Sequence, residues 1–174
     1  EESIAWSWEY ITEVLKLEKE KLYISVFETD DEAYKIWNEV IGIPKERLVR
    51  LGEADNWWAA GPVGSCGPCS EIYYDTGNSI GCPNTDTCMP GCDCDRFLEI
   101  WNLVFTEWNR LEDGTLVPLP EKNIDTGAGL ERITSVVQNK KTNFDTDLFM
   151  PIMEKILDVL NIQRENHDVT VKII

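Results

Sequence analysis

Asn123-Ile-Asp-Thr-Gly-Ala-Gly-Leu-Glu-Arg-Ile133 is the stretch that decides the fold, because two glycines join a strand-like segment to an amphipathic run. Glycines in front of a helix are typical of several phosphate-binding turns. The dinucleotide-binding pattern needs a third glycine where this sequence has Arg132, and the Walker A pattern needs a Gly-Lys-Ser/Thr ending that is absent here. The stretch therefore predicts a tight glycine turn that matches neither common loop.

The composition predicts one globular domain with a strong negative charge. The chain has 174 residues, 43% of them hydrophobic, and a net charge of −16. No apolar run approaches the ~20 residues of a membrane span, and no signal peptide is predicted. We therefore expect a cytoplasmic protein with no membrane partner, in which any phosphate contact depends on a local group of cations.

The pattern of apolar residues predicts an α+β fold with an antiparallel sheet flanked by helices. Helices are predicted over 4–15, around Trp37, over 130–138 and over 147–160, and strands over 22–27, 71–75 and 97–108. A turn at 112–114 leads into one more strand. The strand at 97–108 is expected to be buried on both faces, apart from Glu99 and Asn102.

The cysteines are concentrated in one loop-rich part of the sequence. Cys82, Cys88, Cys92 and Cys94 place four thiols within thirteen residues, which is enough for a tetrahedral structural zinc site. Reduced free thiols and a disulfide are the alternatives. A C-x2-C pair at Cys66 and Cys69 is a second possible source of two ligands.

Four stretches together resemble one known family. They are Asp55-Asn-Trp-Trp58, Gly64-Ser-Cys-Gly-Pro-Cys-Ser-Glu-Ile-Tyr-Tyr-Asp75, Phe97-Leu-Glu-Ile-Trp-Asn-Leu-Val-Phe105 and the opening stretch 123–133. Gly-Leu-Glu-Arg resembles motif 3 of class II aminoacyl-tRNA synthetases, and the set is similar to the alanyl-tRNA synthetases in order and approximate spacing. The likeness covers almost the whole chain. The sequence departs from the family at 63–65 and in the cysteine-rich insert.

The resemblance implies an antiparallel sheet that binds ATP and L-alanine, forms an aminoacyl-adenylate, and passes alanine to tRNA(Ala). It implies that Arg132 contacts the γ-phosphate end of ATP, and that Gly127 and Gly129 lie near the adenosine. Asp125 would receive the α-ammonium of alanine, while Trp58 and Val104 would form walls of the side-chain pocket.

The resemblance also implies that Glu99 and Asn102 hold Mg²⁺ between the phosphates. Successive residues of a regular strand point to opposite faces, so the use of both side chains at one site predicts a bulge or twist between them. The alternative is that Glu99 only pairs with a cation in the core.

By the same resemblance, residues 1–174 form the C-terminal part of a catalytic domain, with a cysteine-rich insert at about 78–95. Motifs 1 and 2 would precede residue 1, so we expect the chain alone to have little or no adenylation activity. A catalytically inactive paralogue and a zinc-containing protein-binding module on the same fold are the alternatives. Convergence of Glu99, Asn102, Asp125 and Arg132 on one cleft would favour the enzyme.

Overall fold

The computed structural model describes residues 1–77, 82, 88–94 and 96–161. It divides the chain into two compact units, the first of residues 1–129 and the second beginning at Leu130. The first unit combines a mixed β-sheet with short helices, which confirms the predicted α+β class.

The first unit is built on a six-stranded sheet with the order β2-β1-β4-β5-β6, and β3 pairs with β4 outside this path. The strands are β1 (Leu22–Phe27), β2 (Leu48–Leu51), β3 (Trp57–Ala59), β4 (Gly64–Asp75), β5 (Phe97–Arg110) and β6 (Leu116–Ala128). All pairs are antiparallel except β1 with β2, which is parallel. The predicted antiparallel sheet is confirmed for these pairs, and the parallel pair at one edge is an addition that the sequence did not indicate. A helical crossover connects the two strands, as a parallel pair requires.

Short helices complete the first unit. They are α1 (Glu2–Glu9), which continues as a π-helical turn over Tyr10–Val14, α2 (Asp31–Lys35), which continues over Ile36–Ile41, and α3 (Glu53–Asn56). The Asp30 carboxylate caps α2 by accepting a hydrogen bond from the Ala33 amide at 2.9 Å. Ile4 and Ile11 are buried, so the predicted inward face of the first helix is confirmed.

The core lies on the sheet face that contacts Trp37. Its indole nitrogen donates to Ser70 Oγ on β4 at 2.8 Å, and the side chain is fully buried. Ile24 on β1 and Ile72 on β4 are cross-strand partners in the same layer, and both have no exposed surface. Because side chains alternate along a strand, Glu71 and Tyr73 project to the opposite face of the sheet.

The hairpin between β5 and β6 confirms the predicted turn, with Gly114 in the left-handed region at φ 83° and its amide bonded to the Leu111 carbonyl. The predicted tight glycine turn is wrong. Gly127 lies within β6, opposite Asn102 of β5, and its φ is not positive. Glycine permits a turn without requiring one, and here the ladder of β5 keeps the chain extended until Ala128.

The second unit contains α4 (Leu130–Val137) and α5 (Met150–Leu160). Helix α4 agrees with its predicted span, but its predicted apolar face is exposed at Leu130 and Val137. None of the helices described in the chain combines the length and apolar composition of a membrane span.

Helix α5 begins at Met150 rather than at residue 147, and a different face from the predicted one is buried. Met153 and Leu157 are buried, whereas Ile152 and Val159 are 56% and 71% exposed. Apolar residues occupy more than one side of this helix, so their periodicity does not determine which side packs inward.

Candidate active site

A bulge in β5 shapes the open face of the sheet. Tyr73 of β4 lies opposite Glu99, and the preceding Ile72 lies opposite Trp101, so Ile100 has no partner in the ladder. One extra residue reverses the alternation of side chains. Glu99 therefore shares a face with the asparagine three residues further on, which confirms the bulge predicted between the two proposed magnesium ligands.

Four polar side chains form what we call the acidic cluster: Glu71, Tyr73, Glu99 and Asn102. Glu71 lies directly opposite Asn102, and the Asn102 amide nitrogen donates to Glu71 Oε1 at 2.9 Å. The Tyr73 hydroxyl donates to Glu71 Oε2. Both carboxylate oxygens of Glu71 thus accept hydrogen bonds. These bonds replace contacts with water, because only 7% of the residue is exposed.

The electrostatics of the acidic cluster favour a bound cation. The pKa of Glu71 is raised to about 7, mainly by burial and also by the neighbouring carboxylates of Glu99 and Asp55, while the hydrogen bond from Tyr73 acts in the opposite direction. Like charges in a poorly solvated place disfavour ionisation, and a cation reverses that effect.

Asn102 gives a direct test of whether the residues fit Mg²⁺. Its Oδ1 atom is buried and accepts no hydrogen bond from any residue that the structure describes. A buried acceptor without a partner costs ~1–3 kcal/mol. Carboxylate and amide oxygens are the ligands that Mg²⁺ takes from proteins, usually in small number. The donor set formed by Glu99 and Asn102 therefore fits the ion.

Strand β6 adds two more of the predicted site residues to this face. Asp125 lies opposite Val104, and Gly127 lies opposite Asn102, in one continuous register. Asp125 is exposed, and a side chain at Gly127 would meet no atom within 4 Å. The surface above β6 therefore has room for a ligand beside the acidic cluster.

The predicted pocket walls lie on neighbouring strands. Val104 on β5 is 6% exposed and faces Cys69, while Trp58 on β3 is 36% exposed and faces Gly67. Asn56 anchors the start of β3 through its amide nitrogen, which donates to the Cys69 carbonyl at 3.1 Å. That the two side chains wall one pocket stays a prediction.

Arg132 lies in the first turn of α4, in the second unit, and it is exposed. Gly129 is the last residue of the first unit. The structure brings Glu99, Asn102 and Asp125 to one face of the sheet, while the approach of Arg132 to that face stays a prediction.

The cysteines of the insert form a compact group. The sulfur atoms of Cys82, Cys88, Cys92 and Cys94 all lie within 4.8 Å of one another. The Cys82–Cys92 and Cys88–Cys94 separations are 3.8 and 3.2 Å, which are too long for a disulfide of about 2.05 Å. Sulfurs on a tetrahedral zinc ion with bonds of about 2.3 Å would lie about 3.8 Å apart. The donor set and spacing therefore fit zinc.

The other cysteine pair does not belong to this group. Cys66 and Cys69 are buried in β4, and the group of potential metal ligands among the described residues does not include them. Burial raises the pKa of the Cys69 thiol to about 12. Because only the sulfur atoms of the insert cysteines lie close to one another in the described part of the chain, the structure favours those four as the ligands.

The base of the insert is closed by an ion pair between neighbouring strands. Arg96, just before β5, donates to both carboxylate oxygens of Asp75, at 2.9 and 2.7 Å. The Asp75 pKa is lowered by this contact. Gly91 of the insert packs so closely on Leu51 that an added Cβ would lie 2.8 Å from a Leu51 methyl group. Residues 78–81, 83–87 and 95 of the predicted insert lie outside the described residues.

Comparison with known proteins assigns the family. The family model described as tRNA synthetases class II (A) matches residues 1–174. The chain belongs to this family. The resemblance found in the four sequence stretches is thereby confirmed for the class, and the observed sheet is that of a class II synthetase domain.

Relatives of the chain within this family carry a more specific name. It is 64% identical over 155 residues to an alanine–tRNA ligase of Fusobacterium nucleatum subsp. nucleatum, which covers 88% of the chain and 18% of that protein. It is 52% identical over 178 residues to an alanine–tRNA ligase of Thermotoga maritima, covering 100% of the chain and 21% of that protein. The chain thus spans about a fifth of the length of these relatives.

Two members of the acidic cluster were not among the predicted site residues. Glu71 and Tyr73 belong to a stretch that was interpreted as a strand and as part of the family resemblance, without a role for either side chain. The signal was present in its alternation, because Glu71, Tyr73 and Asp75 occupy every second position beside the buried Ile72. A carboxyl next to a buried position of a strand needs partners that offset the cost of its burial, and for that reason it is a candidate site residue.

Proposed function

We propose that the chain is part of the catalytic domain of an alanine–tRNA ligase. The observation that carries this proposal is the placement of Glu99, Asn102 and Asp125 on one open face of the sheet, made possible by the bulge at Ile100. Family membership and the names of the relatives support it. The final acceptor would be tRNA(Ala), and the cytoplasm would be the site of action.

The reaction has two steps. A carboxylate oxygen of L-alanine attacks the α-phosphorus of ATP, which forms alanyl-adenylate and releases pyrophosphate. The terminal adenosine hydroxyl of the tRNA then attacks the alanyl carbonyl carbon and releases AMP. The first step depends mainly on in-line positioning and on compensation of the phosphate charge.

Alanine recognition would centre on Asp125. Its exposed carboxylate would accept the α-ammonium of alanine, and it lies opposite Val104, which would contact the methyl group together with Trp58. A pocket of this kind discriminates weakly, since one methyl group is worth only ~1–3 kcal/mol. We therefore expect measurable activation of glycine and serine by the full-length enzyme.

ATP would lie above β5 and β6. Glu99 and Asn102 would hold Mg²⁺, which neutralises phosphate charge when bound. Gly127 and Gly129 would allow the adenosine to approach the backbone, and Arg132 would grip the γ-phosphate end.

Alanine-dependent exchange of pyrophosphate into ATP tests the proposal. We expect exchange by the full-length protein that contains this chain, and at most about 1% of that rate from residues 1–174 alone, because positioning by the rest of the domain is lost. Exchange with aspartate in place of alanine is the control. A full-length protein without exchange would favour the inactive paralogue or the protein-binding module. Robust turnover by the chain alone would contradict the assignment as an incomplete domain.

We propose further that Cys82, Cys88, Cys92 and Cys94 hold one structural Zn²⁺. The purified protein is expected to contain about one equivalent of zinc, and removal by a chelator should lower the melting temperature, because binding free energy becomes folding free energy. Mass spectrometry of the metal and thermal denaturation measure the two effects. The control is Cys66→Ser/Cys69→Ser, which should keep the zinc. Loss of zinc from this variant would overturn the assignment of the metal to the four insert cysteines.

A further inference from the structure

Glu71 is not among the residues proposed to bind ATP or alanine, yet it makes specific hydrogen bonds beside them. It is almost fully buried, and its two carboxylate oxygens accept hydrogen bonds from Asn102 on the neighbouring strand and from Tyr73 on its own strand. A buried carboxyl needs hydrogen-bond donors, and the same hydrogen bonds hold the donor side chains in one orientation.

The contact with Asn102 determines how its carboxamide is oriented. The amide nitrogen of Asn102 points at Glu71 and donates to its Oε1 atom at 2.9 Å. An ionised carboxylate, which only accepts hydrogen bonds, selects this orientation. The amide oxygen then points away from Glu71, and it is the atom left without a hydrogen-bond partner among the described residues. Without Glu71, rotation of the carboxamide by 180° would exchange donor and acceptor at little cost.

The contact with Tyr73 connects this orientation to Glu99. Tyr73 lies opposite Glu99 across the strand pair, as Glu71 lies opposite Asn102. The Tyr73–Glu71 hydrogen bond on β4 therefore connects the residue opposite Glu99 with the residue opposite Asn102, the two proposed magnesium ligands. Partners of this kind orient metal ligands in many proteins.

We propose that Glu71 is a positioning residue that holds Asn102 with its carboxamide oxygen turned toward the magnesium–phosphate site. The inference rests on the proposed function for the identity of that site. Glu71 itself makes no contact with metal or substrate in this proposal and acts only through Asn102.

Glu71→Gln is the decisive variant, because it keeps the shape and reverses one hydrogen bond. The new side-chain amide can accept from Tyr73 while donating to Asn102, which would capture the carboxamide oxygen that the site needs. In the full-length protein we expect Mn²⁺ binding in the presence of ATP, measured by electron paramagnetic resonance, to weaken by about 10–100-fold. The Mg²⁺ concentration for half-maximal alanine-dependent exchange should rise in parallel, while KM for alanine changes less than about threefold.

A second variant makes the proposal falsifiable if the first only perturbs the fold. In Glu71→Gln/Asn102→Asp the amide moves to position 71 and the carboxylate moves to position 102. The amide at position 71 then donates to one carboxylate oxygen at position 102 and leaves the other oxygen for the metal. We expect Mn²⁺ affinity to return to within about fivefold of the wild type. Tyr74→Phe, the neighbouring tyrosine on the opposite face, is the matched control and should bind Mn²⁺ normally.

The outcomes separate the two proposals. Unchanged Mn²⁺ affinity in Glu71→Gln, or a double variant no better than the single one, would overturn the positioning role. A wild-type protein that binds Mn²⁺ with ATP but shows no alanine-dependent exchange would overturn the proposed function, and the Mn²⁺ measurements would still decide the role of Glu71.

Discussion

Glu99→Gln in the full-length protein is expected to lower alanine-dependent pyrophosphate exchange by about 100-fold or more, the usual effect of losing one electrostatic contact to a transition state. The substitution keeps the size of the side chain and removes its charge. Glu99 projects from the bulged part of β5 onto the same face as Asn102 and Asp125. An uncharged amide is a weaker ligand for Mg²⁺, so the developing charge on the phosphates would be poorly compensated.

Glu107→Gln is the matched control for this experiment. Glu107 lies on the same strand, but it pairs with Lys122 at 2.8 Å. It borders a separate cavity that is also lined by Ile4 of α1, and it does not belong to the acidic cluster. We expect its exchange rate to stay within about twofold of the wild type, since exposed ion pairs contribute little. If Glu99→Gln retained near-normal exchange and Mg²⁺ dependence, Glu99 would be a structural residue only.

Gly67→Ala is expected to destabilise the protein more than any other single substitution considered above. A Cβ atom at this position would lie 2.0 Å from the backbone oxygen of Phe105 and 3.1 Å from the amide nitrogen of Glu107. Backbone atoms of a paired strand cannot move aside individually, so β4 and β5 would have to separate. The cost should be about 4 kcal/mol or more, at the upper end for point mutations.

Thermal denaturation by circular dichroism measures this effect. A loss of about 4 kcal/mol corresponds to a fall in melting temperature of about 10 °C for a domain of this size. Gly61→Ala is the control, because its added methyl group would meet only the Val63 carbonyl oxygen at an ordinary 3.8 Å. A melting temperature for Gly67→Ala within about 2 °C of the control would contradict the close approach of the two strands.

The sequence predicted the part of the site that depends on local alternation. Glu99 and Asn102 differ by three positions in a strand, so their use at one site required a bulge, and the bulge is present at Ile100. Such a requirement follows from geometry alone. The same rule, applied to β4, would have pointed to Glu71 and Tyr73.

Features that depend on partners distant in sequence were predicted less well. The parallel strand β2 was missed because four residues give too short a pattern to distinguish it from a loop. Gly127 was expected in a turn, whereas pairing with Asn102 on β5 keeps it extended. Apolar residues lie on more than one side of α5, so the periodicity of the sequence could not predict which side packs against neighbouring elements.

The cysteine-rich insert connects two neighbouring antiparallel strands, β4 and β5. The Asp75–Arg96 ion pair fixes its ends at adjacent positions of the sheet, whatever the chain does between them. The entropy of closing such a loop grows slowly, by about 0.6 kcal/mol for each doubling of length. We therefore expect a change of length within this segment to leave the register of β4 and β5 intact, and with it the bulge that brings Glu99 and Asn102 to one face, as long as the contact of Gly91 with Leu51 is kept.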